Sequence, residues 1–342
     1  MDTELLSKRL GKFLTDQTGA DVQVRDLEPL TGGYSLFMAR FVAEIDGEDR
    51  RLVVRANRPE GEVLSRTDRA VEWELLRALS AELVVPMPAA RWADVTGEHL
   101  GVPAIIIDFV DGHQLLAHSQ TVDPVQHGAL AEKLAEAIGT VHRAGAVAVP
   151  ASFQRPTSWD AYIDGFISGW RRVEAEHAER MPFIRWVAAW LDKHRPPPAP
   201  LTLVHGEFQS SNVMLDAGGE LRIVDWEYAH IGDPRVDLGW AQQCAAFMPP
   251  DLIGANPAGF TKVYREVTGL SEEVVNPLTI AWFAILAGYK ALGGMLQGMA
   301  AMADGQNHLL ASAYLVSAMP FTHRMWREGV RAMEAAMSEV MA

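Results

Sequence analysis

The stretch LTLVHGEFQSSNVMLDAGGELRIVDWEYAHIGDPRVDLGW, residues 201–240, decides how the rest of the chain is read. It sets an acid, an amide and a second acid at fixed intervals. Glu207 follows His205 and Gly206, Asn212 stands five positions after Glu207, and Asp225 stands thirteen after Asn212, beyond the Gly218-Gly219 pair. Leu203 and Val204 ahead of the loop, and the largely apolar residues 221–224 behind it, read as the two short strands of a hairpin. Such a hairpin fixes Asn212 and Asp225 on rigid backbone, so their oxygens are positioned before any ligand arrives.

Those residue types suit phosphoryl transfer. Mg²⁺ is a hard cation that keeps several waters and takes one or two protein oxygens plus phosphate oxygens, so an Asn carbonyl and an Asp carboxylate are a sufficient contribution from the chain. The reaction asks for positioning and charge neutralisation more than covalent help, and one carboxylate facing the two ligands completes a minimal set. The protein-kinase frame H-R-D-x-x-x-x-N has the same interval from acid to amide, with Glu207 here in the place of Asp. More specifically, residues 201–240 resemble the aminoglycoside phosphotransferase and choline kinase family, whose loop reads H-G-D-x-x-x-x-N and is followed by a D-W-E-type metal motif. They look most like the branch ending E-x-A-x-x-G-D-P-x-x-D-L-G-W, matched by Glu227, Ala229, Gly232, Asp233, Pro234, Asp237, Leu238, Gly239 and Trp240. That branch includes kinase domains associated with acyl-CoA dehydrogenases. The resemblance implies a two-lobed, protein-kinase-like α+β fold: an N-terminal antiparallel sheet lobe with a helix over residues 1–108, and a larger, mainly helical lobe over 109–342. It also implies ATP or another nucleoside triphosphate with Mg²⁺, the hydroxyl of a small molecule as acceptor, and a monomer or homodimer.

Composition agrees. At 342 residues, 49% hydrophobic and 22% charged, the chain can bury one large core or two smaller ones. The single cysteine, Cys244, rules out an intrachain disulfide framework and a cysteine-based zinc site, which suits a reducing cytoplasm. Leu5, Leu6, Leu10 and Phe13 fall at helical spacing among charges, unlike a signal peptide, and no apolar run approaches the length of a membrane span. A net charge of -14 with no basic run argues against nucleic acid as partner. The same negative charge suits either solubility or a cationic substrate, and does not choose between them.

The N-terminal part is strand-rich. Residues 22–30, 36–45 and 51–56 are β-favouring runs, and Asp46-Gly47 between the last two is a hairpin turn. Gly32 and Gly33, between the first two runs, form a turn whose N–H groups would reach nucleotide phosphates, or serve only as a turn. Arg55, near the end of the third run, occupies the place where kinases keep a phosphate-binding Lys. A helix over 67–80, with Val71, Leu75, Leu76 and Leu79 on one face, then offers Glu72 and Glu74 as partners for Arg55; the resemblance favours Glu72. A further strand is expected over 88–92. The apolar run ending Asp108-Phe109-Val110 resembles the hinge whose backbone holds adenine.

Beyond the hinge the period becomes helical. Asp123 and Pro124 open a helix with Leu130, Leu134, Ile138 and Val141 on one face, and His142 near its end reads as buried or capping. Trp159, Tyr162, Phe166 and Trp170 follow at helical spacing, as packing or substrate contact. Residues 194–200 form a proline-rich connector into the catalytic segment. The last third reads as all helix, with breaks at Gly269, Pro277, Gly305 and Pro320; Met295, Met299, Met302 and Trp326 fill its core or line an apolar acceptor pocket.

The roles implied are these. Glu207 orients and deprotonates the acceptor hydroxyl, Asn212 and Asp225 hold Mg²⁺, and Arg55, steadied by Glu72, binds phosphate; Asp237 and His205 support the loop. Because Glu carries one methylene more than Asp, a displacement of roughly 1 Å in its carboxylate also suits a competing reading, a kinase-fold regulatory protein that binds nucleotide with weak or no transfer.

Overall fold

Period-two alternation assembles the N-terminal layer. The computed structural model describes residues 2–30, 36–58, 68–82, 85–145, 149–177, 182–303, 305 and 309–341. It opens with helix α1 (Thr3–Thr18), strands β1 (Val22–Pro29), β2 (Leu36–Ile45) and β3 (Glu48–Asn57), helix α2 (Arg69–Glu82), and strands β4 (Ala90–Asp94) and β5 (Ala104–Asp108). The strands form one antiparallel sheet in the order β1-β2-β3-β5-β4. Asp46 (φ 53°) and Gly47 (φ 81°) both lie at positive φ, the geometry that a tight two-residue hairpin needs. Leu52, Val54 and Ala56 on β3 pack in one core with Leu10, Phe13 and Leu14 of α1. Val53 packs instead with Leu75, Leu76 and Leu79 of α2. Alternation puts Arg55 on the same side as Val53, toward α2.

The chain continues through β6 (Gly112–Gln114), α3 (Leu115–Ser119), α4 (His127–Ala144), α5 (Trp159–His177) and α6 (Pro182–Lys193). Next come β7 (Thr202–Val204), β8 (Val213–Asp216), β9 (Leu221–Ile223), β10 (His230–Gly232) and α7 (Arg235–Ala245). Helices α8 (Leu252–Ala255), α9 (Pro257–Thr268), α10 (Pro277–Ala303) and α11 (Leu309–Met341) complete it. The two-lobed α+β architecture is thus observed. Among the described residues no helix is long and apolar enough to cross a membrane.

The segment around the acid, amide and acid departs from the hairpin expected of it. Strand β7 pairs with β10, whereas β9 pairs with β8 and β8 with β6. The interval between Asn212 and Asp225 is long enough to hold its own hairpin, β8 and β9 around Gly219 (φ 82°), which leaves β7 to the later strand. Asn212 and Asp225 therefore flank one tight hairpin, and the Val224 N–H donates to the Asn212 carbonyl at 2.9 Å.

Two apolar bodies lie beneath. One joins β5 and α2 to α4, Phe208, Ile223, Trp226 and α9; the other joins α5 and α6 to α10 and α11 through Trp170, Trp190, Trp282 and Trp326. Several readings need correction. Leu5 (46% exposed) and Val71 (39%) face solvent, because each falls just outside the buried arc of its helix. The fourth strand begins at Ala90 rather than 88. Pro320 lies inside α11 instead of ending it, where packing of Trp326, Val330 and Met333 carries the helix on. Met299 and Met302 are exposed, while Met295 and Trp326 are buried. Gly32 and Gly33 lie outside the described residues.

Candidate active site

The loop that carries Glu207 is held from behind by a buried carboxylate. Asp237, in the first turn of α7, accepts the His205 N–H (2.8 Å) through one oxygen and the Gly206 N–H (2.8 Å) through the other. His142 of α4 donates to Asp237 from Nε2 (3.1 Å), and its Nδ1 meets the Tyr264 hydroxyl at 2.6 Å. Burial alone would raise the Asp237 carboxyl, but the hydrogen bond and charge of His142, with His205 beside it, hold it below the usual carboxylate range. His205 receives the Glu207 N–H on Nδ1 (3.3 Å) and donates from Nε2 to the Val224 carbonyl (2.9 Å), which ties the loop to the strand leading to Asp225. Gly206 sits at φ 82°, and a Cβ there would come within 2.3 Å of the Tyr228 carbonyl oxygen, so no other residue fits between His205 and Glu207.

The loop and hairpin bring three carboxylates together. One oxygen each of Glu207, Asp225 and Glu227 lies within 4.8 Å of the other two. Opposed ligands of an octahedral Mg²⁺ sit about 4.2 Å apart, twice a metal–oxygen bond, so this spread matches one small cation. Asn212 donates from Nδ2 to the Glu207 carbonyl (3.0 Å), which leaves its side-chain oxygen as the acceptor. Asp225 has φ 70°, a left-handed conformation uncommon for any residue but glycine and tolerated by Asp; it turns the carboxylate off the end of the hairpin.

Two arginines reach these acids from the N-terminal layer. Arg55 forms ion pairs with Glu72 and with Asp225. Arg69, at the start of α2, pairs with Glu72 and reaches Glu227 at 2.8 Å. Glu74 does not join them; it accepts the Ser152 hydroxyl. Burial raises the Asp225 carboxyl above its ordinary value despite the Arg55 charge, and Glu227 pushes the same way. For Arg55 burial pulls the other way but is overcome by Glu72 and Asp225, which keep the guanidinium firmly charged. Arg55, Arg69, Glu72, Glu207, Asp225 and Glu227 together carry two positive and four negative formal charges, a difference that a divalent cation would balance. The donor set fits Mg²⁺: all oxygen, preorganised and short of positive charge.

The hinge residues are placed as follows. The Asp108 N–H donates to Ala89 (2.9 Å) and the Phe109 N–H to Arg51 (3.0 Å). The Asp108 carboxylate is engaged by Arg91, and the Phe109 ring lies under the Arg51 guanidinium at 4.4 Å. Of the three, Val110 is left as the candidate N–H donor to a base. Beyond the acids, Asp233 and Arg235 form a buried pair in which Asp233 also accepts the Trp159 N–H (2.6 Å) and Arg235 donates to the Val274 and Pro197 carbonyls, so this part of the motif anchors α7. Gln209, Ser210 and Ser211 of the loop share a small pocket with Ala241, Cys244 and Ala245 of α7. Ala245 also borders a cavity of about 390 Å³, walled mainly by Ala284, Ile285, Phe321 and Met325, with Asp251, Arg324 and Glu328 as its charged groups.

Residues 26–267 match the model of the phosphotransferase enzyme family. The chain belongs to this family. It is similar to mouse (Mus musculus) acyl-CoA dehydrogenase family member 10, 26% identical over 208 residues, which are 59% of this chain and 19% of that protein. The chain thus matches about a fifth of the length of that relative. Its fold is similar to that of a candidate aminoglycoside phosphotransferase of Ralstonia eutropha, with a TM-score of 0.69 and 19% identity over 97% of this chain and 98% of the other. It is also similar to a thermostable mutant of aminoglycoside phosphotransferase APH(4)-Ia in complex with ADP and hygromycin B, with a TM-score of 0.59 and 17% identity over 94% and 98% of the two chains.

Sequence reading missed two members of the site. Glu227 was noticed only as part of a motif, and Arg69 not at all. The D-x-E spacing placed Glu227 beside Asp225 and could have found it, whereas nothing local distinguishes Arg69 from other helix-starting arginines.

Proposed function

We propose that the protein transfers the terminal phosphoryl group of ATP, or another nucleoside triphosphate, to a hydroxyl of a small molecule. The observation that carries this is the convergence of Glu207, Asp225 and Glu227 in front of the Arg55–Glu72 pair, on the fold of a phosphotransferase. The nucleotide would lie between residues 1–108 and 109–342, with Val110 meeting the base and Arg55 the phosphates. Asn212, Asp225 and Glu227 would hold Mg²⁺, which neutralises charge on the phosphates. Glu207 orients the acceptor hydroxyl and takes its proton, and Asp237 with His205 keeps the Glu207 backbone in place.

The cavity along α7 bears on the acceptor. Its wall is largely apolar and Arg324 offsets one of its two acids, which favours an alcohol with an apolar body, such as a hydroxyacyl compound, over a polycationic amino sugar. A direct comparison tests this: turnover with Mg-ATP on a panel of hydroxylated acyl compounds, small alcohols such as choline and homoserine, and aminoglycosides. Transfer to the first set, abolished in Glu207→Gln, is expected. ATP binding without transfer to any acceptor would favour the regulatory reading, in which the longer acid at 207 has cost the chemistry.

A further inference from the structure

Resting on the phosphotransferase reading, a feature of the N-terminal layer assigns work to a residue no motif marks. The Arg69 side chain is 1% exposed, and its two terminal nitrogens reach different elements: one meets Glu72 on its own helix and the other meets Glu227 of the metal motif at 2.8 Å. Arg55 repeats the pattern from β3, with one arm to Glu72 and the other to Asp225. Glu72 is thus shared by two arginines, and each arginine holds one acid of the Asp225-Trp226-Glu227 triplet. The links close a ring, Arg55 to Glu72 to Arg69 to Glu227 and back through the chain to Asp225.

The two arginines differ in what else they have to do. Arg55 stands where phosphates are drawn in, so nucleotide binding diverts its charge from Glu72 and Asp225. Arg69 is enclosed, and its pairs persist. We infer that Arg69 is a positioning residue, which keeps Glu72 anchored while Arg55 turns to phosphate and holds Glu227 at the spacing a cation requires. A planar guanidinium can bridge two carboxylates on different elements, whereas the single ammonium of Lys serves one well. The charge-preserving variant Arg69→Lys therefore separates bridging from charge.

The experiment measures Mn²⁺ binding to the ADP complex of the wild type, Arg69→Lys, Arg69→Met, Glu227→Gln and the Arg69→Lys/Glu227→Gln pair, alongside ADP binding without metal and thermal melting. Loss of a group that orients a metal-binding acid costs about 10- to 100-fold in metal affinity. Arg69→Lys is expected to fold with a lowered melting temperature, because one buried acid loses its second partner, to bind metal-free ADP, and to bind Mn²⁺ about tenfold more weakly; in turnover, the Mg²⁺ needed for half-maximal rate rises by the same factor. Glu227→Gln, which alters a proposed ligand itself, should lose at least as much, and the double variant should be no worse than Glu227→Gln alone. Folded Arg69→Lys or Arg69→Met with wild-type Mn²⁺ affinity overturns the inference, as does a double variant whose losses multiply. Should Arg69→Met fail to fold, Arg69→Lys and Glu227→Gln decide alone. A wild type that binds no Mn-ADP defeats the phosphotransferase reading and this inference with it, whereas normal wild-type binding with unaffected variants defeats the inference alone.

Discussion

The metal end of the site and the cavity along α7 are built on opposite principles. At the metal end a handful of charged side chains meet across four segments, each held by an ion pair or a backbone hydrogen bond. Around the cavity the walls are mainly alanines, Ile285, Phe321 and Met325, with Gln242, Asp251, Arg324 and Glu328 as the polar groups. On the proposed function, the difference teaches that the chemistry would resist change at the first end, while acceptor choice would be open to change at the second. Substitutions at the metal end should lower turnover with every acceptor; substitutions in the cavity should move one acceptor relative to another.

The largest effects are expected at the acids. Glu207→Gln should lower kcat by about 10²- to 10⁴-fold with nucleotide affinity retained, the range for removing a general base. Asp225→Asn should lower kcat/KM on the order of 10³-fold and strongly weaken Mn²⁺ binding, because it removes the negative charge proposed to face the metal and one of the two carboxylate partners of Arg55. Steady-state rates and metal titration check both. If Glu207→Gln turns over normally, the acid at 207 has no part in proton transfer.

Next comes the support behind the loop. Asp237→Asn leaves His142 and two N–H donors facing a neutral amide inside the core, and should cost about 3 kcal/mol in denaturant unfolding. Its pH dependence has a definite sign. Asp237 is held below its unfolded value, so its stabilisation is complete above about pH 4, the ordinary Asp value, and is lost as pH falls through the lowered folded value. The gap between wild type and Asp237→Asn should therefore be constant from pH 7 to about 5 and narrow in stronger acid; a gap that widens there would contradict the assignment.

A smaller effect is expected at the cavity. Ala284→Leu should narrow it and raise KM for a bulky apolar acceptor about tenfold, while KM for nucleotide stays put. Equal changes in both would mean that the cavity does not receive the acceptor. The smallest effect is a drift in metal affinity. Since the Asp225 carboxyl is raised, protons should begin to compete with Mn²⁺ at a pH somewhat above the ordinary Asp range.

Legibility in the sequence follows the same division. The hairpin at Asp46-Gly47 and the helix with Leu75, Leu76 and Leu79 are local patterns, and the structure places them as read; the interval from Glu207 to Asp225 is also local, and the two carboxylates come together with Glu227, though on a different hairpin from the one expected. The pairing of β7 with β10 was not legible, because strands of three residues carry no register signal and the intervening hairpin takes the nearer partner. Nor was the bridge from Arg69 to Glu227, which joins positions 158 residues apart. His142 could be read as buried, but its contact with Asp237 depends on how α4 and α7 are set against each other. The cavity was least legible of all, since alanines on α7 and α10 look alike whether they pack together or leave a gap.

The central claim is phosphoryl transfer from this site, and it is tested most directly by incubating the protein with Mg-ATP and a mixed metabolite extract and searching for new phosphate esters by mass spectrometry. Appearance of at least one phosphorylated alcohol, dependent on Mg²⁺ and lost in both Glu207→Gln and Asp225→Asn, is the predicted result. An unchanged extract, with ATP bound but not consumed, would contradict it.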